Sequence, residues 1–241
     1  MRRFVQAFSG EPLRLGEWSS GIDETLSKEG DHYNIGKGDD AWVLFQDSAG
    51  LHAARFRWGL VPSWSKTPDT HYTTITARLE RAARSRIFGK PWKSQHCVIP
   101  MNGYYKWDRT TKPAIPYFIQ AEDGRPLFVA GLWEHWDRGE PALYSFTILT
   151  HPNDAIPPPL TPDGPIFLIG SAPRIWLDGP RLFPAAFLRM AEQPSLAKQA
   201  VSSTHRDRSR DDYTLLEPRG AGDYLEPLPT FDSEQEENED F

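Results

Sequence analysis

Cysteine is almost absent from this chain, which carries a single one, Cys97, among 241 residues. One cysteine cannot form an internal disulfide, so the sequence excludes a disulfide-stapled secreted scaffold and favours a reducing compartment. Cys97 lies in the apolar run Cys97-Val98-Ile99-Pro100. A cysteine in such a run is typically a small buried hydrophobic residue.

Long hydrophobic runs are also missing. No window approaches the roughly 18 apolar residues that cross a bilayer, and residues 1–5 hold no apolar stretch of signal-peptide length. We therefore expect a cytoplasmic protein without a membrane-spanning segment. The seven histidines lack metal-ligand spacing with cysteine or carboxylate partners, and no phosphate-binding glycine loop is present. Neither a metal nor an organic cofactor is expected.

Negative charge is concentrated at the end of the chain. The formal net charge is -6, and residues 232–241 hold six acids and no base, so the remaining chain is neutral and can still carry a basic groove. The acidic run is typical of a disordered, solubilising tail, although competition with DNA for such a groove remains an alternative. The length predicts one domain, residues 1–218, followed by an extension, residues 219–241.

The local patterns predict a mostly β core. The chain has 22 Pro and 18 Gly, and its apolar runs are short, as expected for many strands joined by turns. The predicted strands are 41–45, 52–58, 96–99, 115–120, 127–132, 143–149 and 166–169. Helical periodicity predicts connecting helices at 77–88, 184–191 and 194–201.

A turn between two indoles is the first candidate for nucleic-acid binding. Trp58 and Trp64 flank the run Gly59-Leu60-Val61-Pro62-Ser63. An exposed indole offers a flat face to a nucleobase, whereas a buried one belongs to the core. We assign Trp58 to the core and leave both interpretations open for Trp64.

Arginines recur at every third position in the next segment. Arg78, Arg81 and Arg84 are joined by Arg86, and on a helix they would form a basic stripe. Their forked donors suit phosphate. The same stripe is also typical of a plain solvated surface, so both interpretations remain open.

Taken in order, these segments resemble the SRAP family of SOS response-associated proteins. The resemblance rests on the Trp-Gly-Leu-Val-Pro turn at 58–62, the Ala-Arg-x-Glu segment at 77–80 and the run from Cys97 to Trp107. Later segments extend it over residues 1–218. It implies an α+β fold that is predominantly antiparallel β, with a barrel-like sheet core and a few connecting helices. It also implies binding of single-stranded DNA and covalent cross-linking to abasic sites.

The catalytic positions of that family are substituted in this chain. Family members carry a cysteine after the initiator Met, whose amine and thiol close a ring on the abasic-site aldehyde, together with a Glu and a His for proton transfer. The corresponding positions hold Arg2, Lys106 and Thr161, and a family Asn has become Thr76. Asn34 is retained. We therefore assign no catalytic residue and expect the Cys-dependent cross-linking and autopeptidase chemistry to be lost.

The positions that hold DNA in the family are retained in type. They are Arg3, Asn34, Trp64, Arg78 and Arg86. This contrast predicts a protein of the DNA damage (SOS) response that binds single-stranded DNA, including strands with abasic sites, without the family's usual covalent chemistry.

Two alternatives remain open. In one, the amine of a desolvated Lys106 or of Met1 attacks the abasic aldehyde, forms a Schiff base and promotes β-elimination. In the other, the chain is a non-catalytic scaffold that binds a protein partner through its acidic tail. The sequence predicts no particular oligomeric state.

Overall fold

The computed structural model describes residues 1–9, 22–28, 30–69, 72–179 and 184–220. Most of the predicted 219–241 extension, including its acidic run, lies outside the described residues. The strands are β1 (Phe4–Gln6), β2 (His32–Ile35), β3 (Asp40–Asp47), β4 (Gly50–Trp58), β5 (Thr76–Arg78), β6 (His96–Met101), β7 (Gly103–Asp108), β8 (Ile115–Ala121), β9 (Leu127–Trp136), β10 (Leu143–Pro152), β11 (Asp163–Pro165) and β12 (Leu196–Ala200).

The helices are short. They are α1 (Ile22–Ser27), α2 (Leu79–Ala82), α3 (Pro91–Ser94), α4 (Ala172–Leu177) and α5 (Pro184–Arg189), with 3-10 helices at Ser203–Arg206 and Tyr213–Leu216. In the described part of the chain, none of them has the length and apolar character needed to cross a bilayer.

The larger sheet curls into a barrel-like ring. Its strands follow the order β11-β10-β4-β3-β6-β9, and β9 pairs again with β10. Strand β10 pairs in parallel with β4 and β5, whereas its other pairings and those of β3, β6 and β9 are antiparallel. The predicted α+β class with a mainly antiparallel, barrel-like core is therefore confirmed.

A smaller antiparallel sheet, in the order β12-β8-β7-β1-β2, packs against the ring. Phe4 and Tyr104 of this sheet share a core with Trp58, Ile99 and Phe146 of the ring. Both Trp58 and Cys97 are 0% exposed, as predicted. Burial raises the pKa of the Cys97 thiol well above its usual range, so the thiol stays protonated in the core.

A second core cluster lies between the ring and its helices. Trp176 of α4 packs there with Leu44, Val98 and Leu132, and its Nε1 donates to the Cys97 carbonyl at 3.0 Å. This cluster anchors helices α1, α2, α4 and α5 to the ring.

Three predicted elements are wrong. The helix predicted at 77–88 begins as β5 and is helical only at Leu79–Ala82, because the hydroxyl of Ser85 accepts from the backbone of Ile87 and Phe88 and builds a turn instead. Segment 194–201 contains β12, since it adds a strand to the open edge of β8. Segment 166–169 holds one isolated bridge, at Phe167, and the strand lies earlier, at β11.

Candidate nucleic-acid interface

Arg3 and Asn34 form a direct side-chain pair. Arg3 Nη1 donates to Asn34 Oδ1 at 2.9 Å, and Asn34 Nδ2 donates to the carbonyls of Asp207 and Arg210 at 2.9 and 2.7 Å. Burial, followed by the charge of Arg208, lowers the pKa of Arg3, but a guanidinium keeps its proton in proteins. The pair thus presents a fixed cation at the start of β1.

The chain segment 203–216 closes over β2 and holds this pair in place. Asp211 accepts from the backbone N–H groups of Tyr33 and Asn34 and from His32 Nδ1. Residues more than 170 positions apart therefore build one surface. No local sequence pattern predicts this arrangement.

Segment 203–216 also adds cations that the sequence did not single out. The Arg206 guanidinium lies 4.1 Å from the ring centroid of Trp107, and Arg208 donates to Asp39 Oδ1 at 3.0 Å. In the same segment, His205 stacks on Tyr105 with ring centroids 4.4 Å apart. Burial lowers the pKa of His205 to about 4, so its ring is neutral. Only the tertiary fold brings Arg206 to Trp107, which lies 99 positions earlier.

Trp64 and Arg86 form a second contact pair. Trp64 is 37% exposed, which excludes the core interpretation. Its Nε1 donates to the Arg86 carbonyl at 3.2 Å, and the Arg86 guanidinium lies 4.6 Å from its ring centroid. The two predicted DNA-binding side chains thus support each other.

The turn that carries Trp64 is braced from β9. Trp136 Nε1 donates to the Ser65 carbonyl at 2.8 Å, and Arg138 Nε donates to the Ser63 carbonyl at 3.0 Å. Lys90 bridges the Ser63 hydroxyl and the buried Glu134 carboxylate. These bonds hold the indole where a base can reach it.

Arg78 is exposed at the end of β5, opposite Thr150 of β10. Arg81 and Arg84 are also exposed, but helix α2 ends before Arg84. The arginines therefore do not form the helical stripe that the sequence suggests. Within the part of the chain that the structure describes, no hydrogen bond or ion pair joins Arg78 to the Arg3–Asn34 pair or to the Trp64–Arg86 pair.

The antiparallel register of β1 and β7 brings the start of the chain to Lys106. Phe4 lies opposite Tyr104, and the Tyr105 N–H donates to the Arg3 carbonyl at 3.0 Å. Lys106 is 9% exposed, and its Nζ donates to the Asp163 carbonyl at 2.5 Å. Burial lowers the pKa of Lys106, while the charge of Asp163 opposes that shift.

The α-amine of Met1 lies near enough to Lys106 and Asp163 to feel their charges, whereas the Arg2 side chain is exposed. Burial first, and then the charge of Lys106, lowers the pKa of this amine from 8.0 to about 6. It is therefore mostly neutral at pH 7. A neutral amine is a nucleophile toward an aldehyde.

The other two positions at which the family residue is replaced both hold threonine. Thr161 is exposed in the loop before β11, and Thr76 begins β5 opposite Ile148. Among the residues that the structure describes, no group of three His, Cys, Asp or Glu side chains is arranged to hold a metal ion.

The family model for SOS response associated peptidase (SRAP) matches residues 3–205 of the chain. Curated relatives share the name "abasic site processing protein". YoqW of Bacillus subtilis is 30% identical over 178 residues, which cover 72% of this chain and 79% of YoqW. YedK of Escherichia coli is 30% identical over 60% of this chain and 64% of YedK.

A yeast relative, YMR114C of Saccharomyces cerevisiae, is 37% identical over 49% of this chain, and the match spans only 32% of the yeast protein's length. Among solved structures, a Bacteroides thetaiotaomicron protein superposes with a TM-score of 0.72 at 20% identity, covering 90% of this chain and 99% of that one. This likeness concerns the fold alone.

Proposed function

Because the chain belongs to the SRAP family, we propose that it binds single-stranded DNA, including strands that carry abasic sites, through the surface around Arg3 and Asn34. The observation that carries the proposal is the fixed Arg3–Asn34 pair, in which Asn34 Oδ1 holds the guanidinium at the start of β1. A guanidinium held in this way offers a fixed cation to phosphate.

Stacking supports a single-stranded rather than a duplex ligand. Single-strand binders combine a basic groove with aromatic side chains on which unpaired bases stack. Trp64 and Trp107 each stack against an arginine guanidinium. The rings and their guanidinium partners offer stacking and phosphate contacts together.

We infer that the family's thiol-dependent cross-link is lost. The ring closure on an abasic aldehyde needs an amine and a thiol on one residue, and Met1 has only the amine. Cys97 is fully buried in the core, so its sulfur does not supply the missing group.

Binding is tested by fluorescence anisotropy with a labelled single strand, the same strand carrying one abasic site, and a duplex. Both single strands are expected to bind at low salt, and Arg3→Ala to weaken binding at least about fivefold, since it removes a charge-assisted contact. Arg174→Ala, an exposed arginine of α4, is the matched control. Absence of binding at low salt overturns the proposal.

The buried amines favour a second candidate function, Schiff-base formation at abasic sites. The neutral Met1 amine would attack the aldehyde carbon, form a carbinolamine and lose water to give an imine. Borohydride reduces that imine to a stable adduct, which intact mass spectrometry detects. An adduct that maps to Met1 and survives Lys106→Ala supports Met1 as the nucleophile, whereas loss of the adduct with Lys106→Ala identifies Lys106. No adduct at all excludes this function and leaves DNA binding unaffected.

A further inference from the structure

A cavity of about 220 Å³ lies outside the surface described above, between the end of β10, β11 and α5. Its apolar wall includes Pro165, Ile166 and Leu188. We call it the α5 cavity. It is smaller than the roughly 300–1,000 Å³ of pockets that hold drug-sized ligands, so its size suits a fragment such as a single nucleobase.

The α5 cavity adjoins a residue expected to bind DNA. His151 lines the cavity and directly follows Thr150, which pairs with Arg78 in the sheet. One strand position is about 3.3 Å. A strand whose phosphate contacts Arg78 therefore passes within reach of the cavity mouth.

Two side chains of opposite charge line the α5 cavity, and the charge of one of them, Arg189, also acts on the Glu80 carboxylate. Arg189 and Asp154 both contribute to its wall. Among the described residues, neither side chain takes part in a hydrogen bond or an ion pair, with the other or with a third group. The guanidinium offers only donors and the carboxylate only acceptors.

His151 is fixed at the edge of the cavity. Its Nδ1 is hydrogen-bonded to the carboxylate of Glu80, which orients the ring. Within the ranges that the structure describes, Nε2 has no hydrogen-bond partner. The cavity thus combines an apolar wall, a donor-only group, an acceptor-only group and an oriented imidazole.

We propose that the α5 cavity binds one unpaired guanine base, and that within the proposed function it reads a base of the strand held at Arg78. Guanine presents two acceptors, O6 and N7, to an arginine. It also presents N1–H and N2–H donors that a carboxylate accepts in pairs. Arg189 and Asp154 match these two edges, and the apolar wall covers the face of the ring, as in pockets for bases taken out of the stack.

The other bases satisfy the two groups less completely. Thymine and adenine lack two adjacent donors for Asp154, and cytosine offers the carboxylate a single amino group. A good bidentate pair discriminates by 1–3 kcal/mol, which corresponds to about 5- to 150-fold in affinity. We expect the preference to fall at the lower end, because both side chains are exposed.

The first experiment uses mononucleotides and does not depend on strand binding. Titration of dGMP, dAMP, dCMP and dTMP into the full chain, followed by NMR or calorimetry, is expected to show dGMP binding at least about fivefold more tightly than the others. Arg189→Ala and Asp154→Asn should each abolish that preference. Arg174→Ala and Asp123→Asn, in exposed side chains elsewhere, should retain it. Circular dichroism checks that all four variants fold.

The second experiment places one dG in a dT oligonucleotide. The single dG is expected to raise affinity in the wild type but not in Arg189→Ala or Asp154→Asn, while binding of the all-dT strand stays the same in all three. Equal affinity for all four mononucleotides, or a dGMP preference that survives both substitutions, overturns the guanine site. Failure of the all-dT strand to bind instead contradicts the proposed function. The dGMP titration still tests the guanine site in that case, because it does not depend on strand binding.

Discussion

The guanidinium of Arg86 lies 4.6 Å from the ring centroid of Trp64, while the Trp64 indole N–H donates to the Arg86 carbonyl at 3.2 Å. Two residues 22 positions apart thus contact each other twice. The Arg86 carbonyl orients the indole through its N–H, and the guanidinium packs against the ring. Part of the indole remains exposed and available to a base.

This contact predicts that the two side chains contribute together to DNA affinity. Trp64→Ala should cost about 1–3 kcal/mol of binding free energy for a single strand, since it removes a stacking platform. Arg86→Ala should cost less. Because the residues touch, the double variant should lose less than the sum of the two. Anisotropy titrations of the four proteins measure the coupling, and strictly additive losses would contradict the shared role.

Arg78 should act through phosphate alone. The Arg78 side chain is exposed to solvent at the end of β5. A phosphate that contacts its guanidinium releases a counterion from the DNA. Arg78→Ala should therefore make the slope of log affinity against log salt less negative by about 0.7 for a single strand. The base preference should not change. An unaltered slope would remove Arg78 from the interface.

The Met1 amine should make Schiff-base trapping dependent on pH. Its pKa is about 6 in the folded protein against 8.0 for a free amine, and only the neutral form attacks an aldehyde. The trapping rate is thus expected to rise from pH 5, reach half of its plateau near pH 6 and level off by about pH 7. In Lys106→Met the neighbouring cation is gone, so the midpoint should move to higher pH. A midpoint near 8 in the wild-type protein would contradict the buried site.

His205 should make the fold sensitive to acid. Its folded pKa is about 4 and its unfolded value about 6.5, so the unfolded chain binds the extra proton first. Its contribution to stability is complete above pH 6.5 and is lost as the pH falls from 6.5 to about 4, by an amount on the order of 3 kcal/mol. His205→Phe retains an aromatic ring against Tyr105 and cannot titrate. Urea unfolding at pH 7 and pH 4.5 should show a smaller acid loss in this variant than in the wild type.

Gly103 should tolerate no side chain. A Cβ at this position would lie 2.3 Å from the Ile119 carbonyl oxygen, which belongs to the backbone of β8 and cannot move aside. Gly103→Ala is expected to destabilise the protein by at least about 1–3 kcal/mol and to disturb the strand that carries Lys106. Gly30→Ala, where a Cβ meets nothing within 4 Å, is the control. Equal thermal midpoints for the two variants would contradict the tight β7–β8 contact.

Elements with a strong local signal were predictable from the sequence. The apolar runs around Trp42, Phe56 and Ile148 form strands because their alternating side chains fill the two faces of the ring. Elements decided by tertiary pairing were not. Segment 194–201 has helical spacing, but the exposed edge of β8 offers five residues of hydrogen bonding that a short helix cannot match.

The candidate site shows the same division. The types of Arg3, Asn34, Trp64, Arg78 and Arg86 were read from the sequence, yet their grouping into two contact pairs and one separate arginine was not. Arg206 meets Trp107 only because segment 203–216 folds back onto the small sheet, and the Met1 amine meets Lys106 only through the register of β1 and β7. Spacing along a sequence carries no signal for such contacts.

Asp211 accepts hydrogen bonds from the backbone N–H groups of Tyr33 and Asn34, so this contact can form only late in the synthesis of the domain. A ribosome releases β1 and β2 early, but Asp211 emerges only about 180 residues after β2. The nascent chain therefore completes most of its ring before the proposed nucleic-acid surface around Arg3 and Asn34 is held in place. A chain that stops before Asp211 would keep the ring strands but would lack this support for β2.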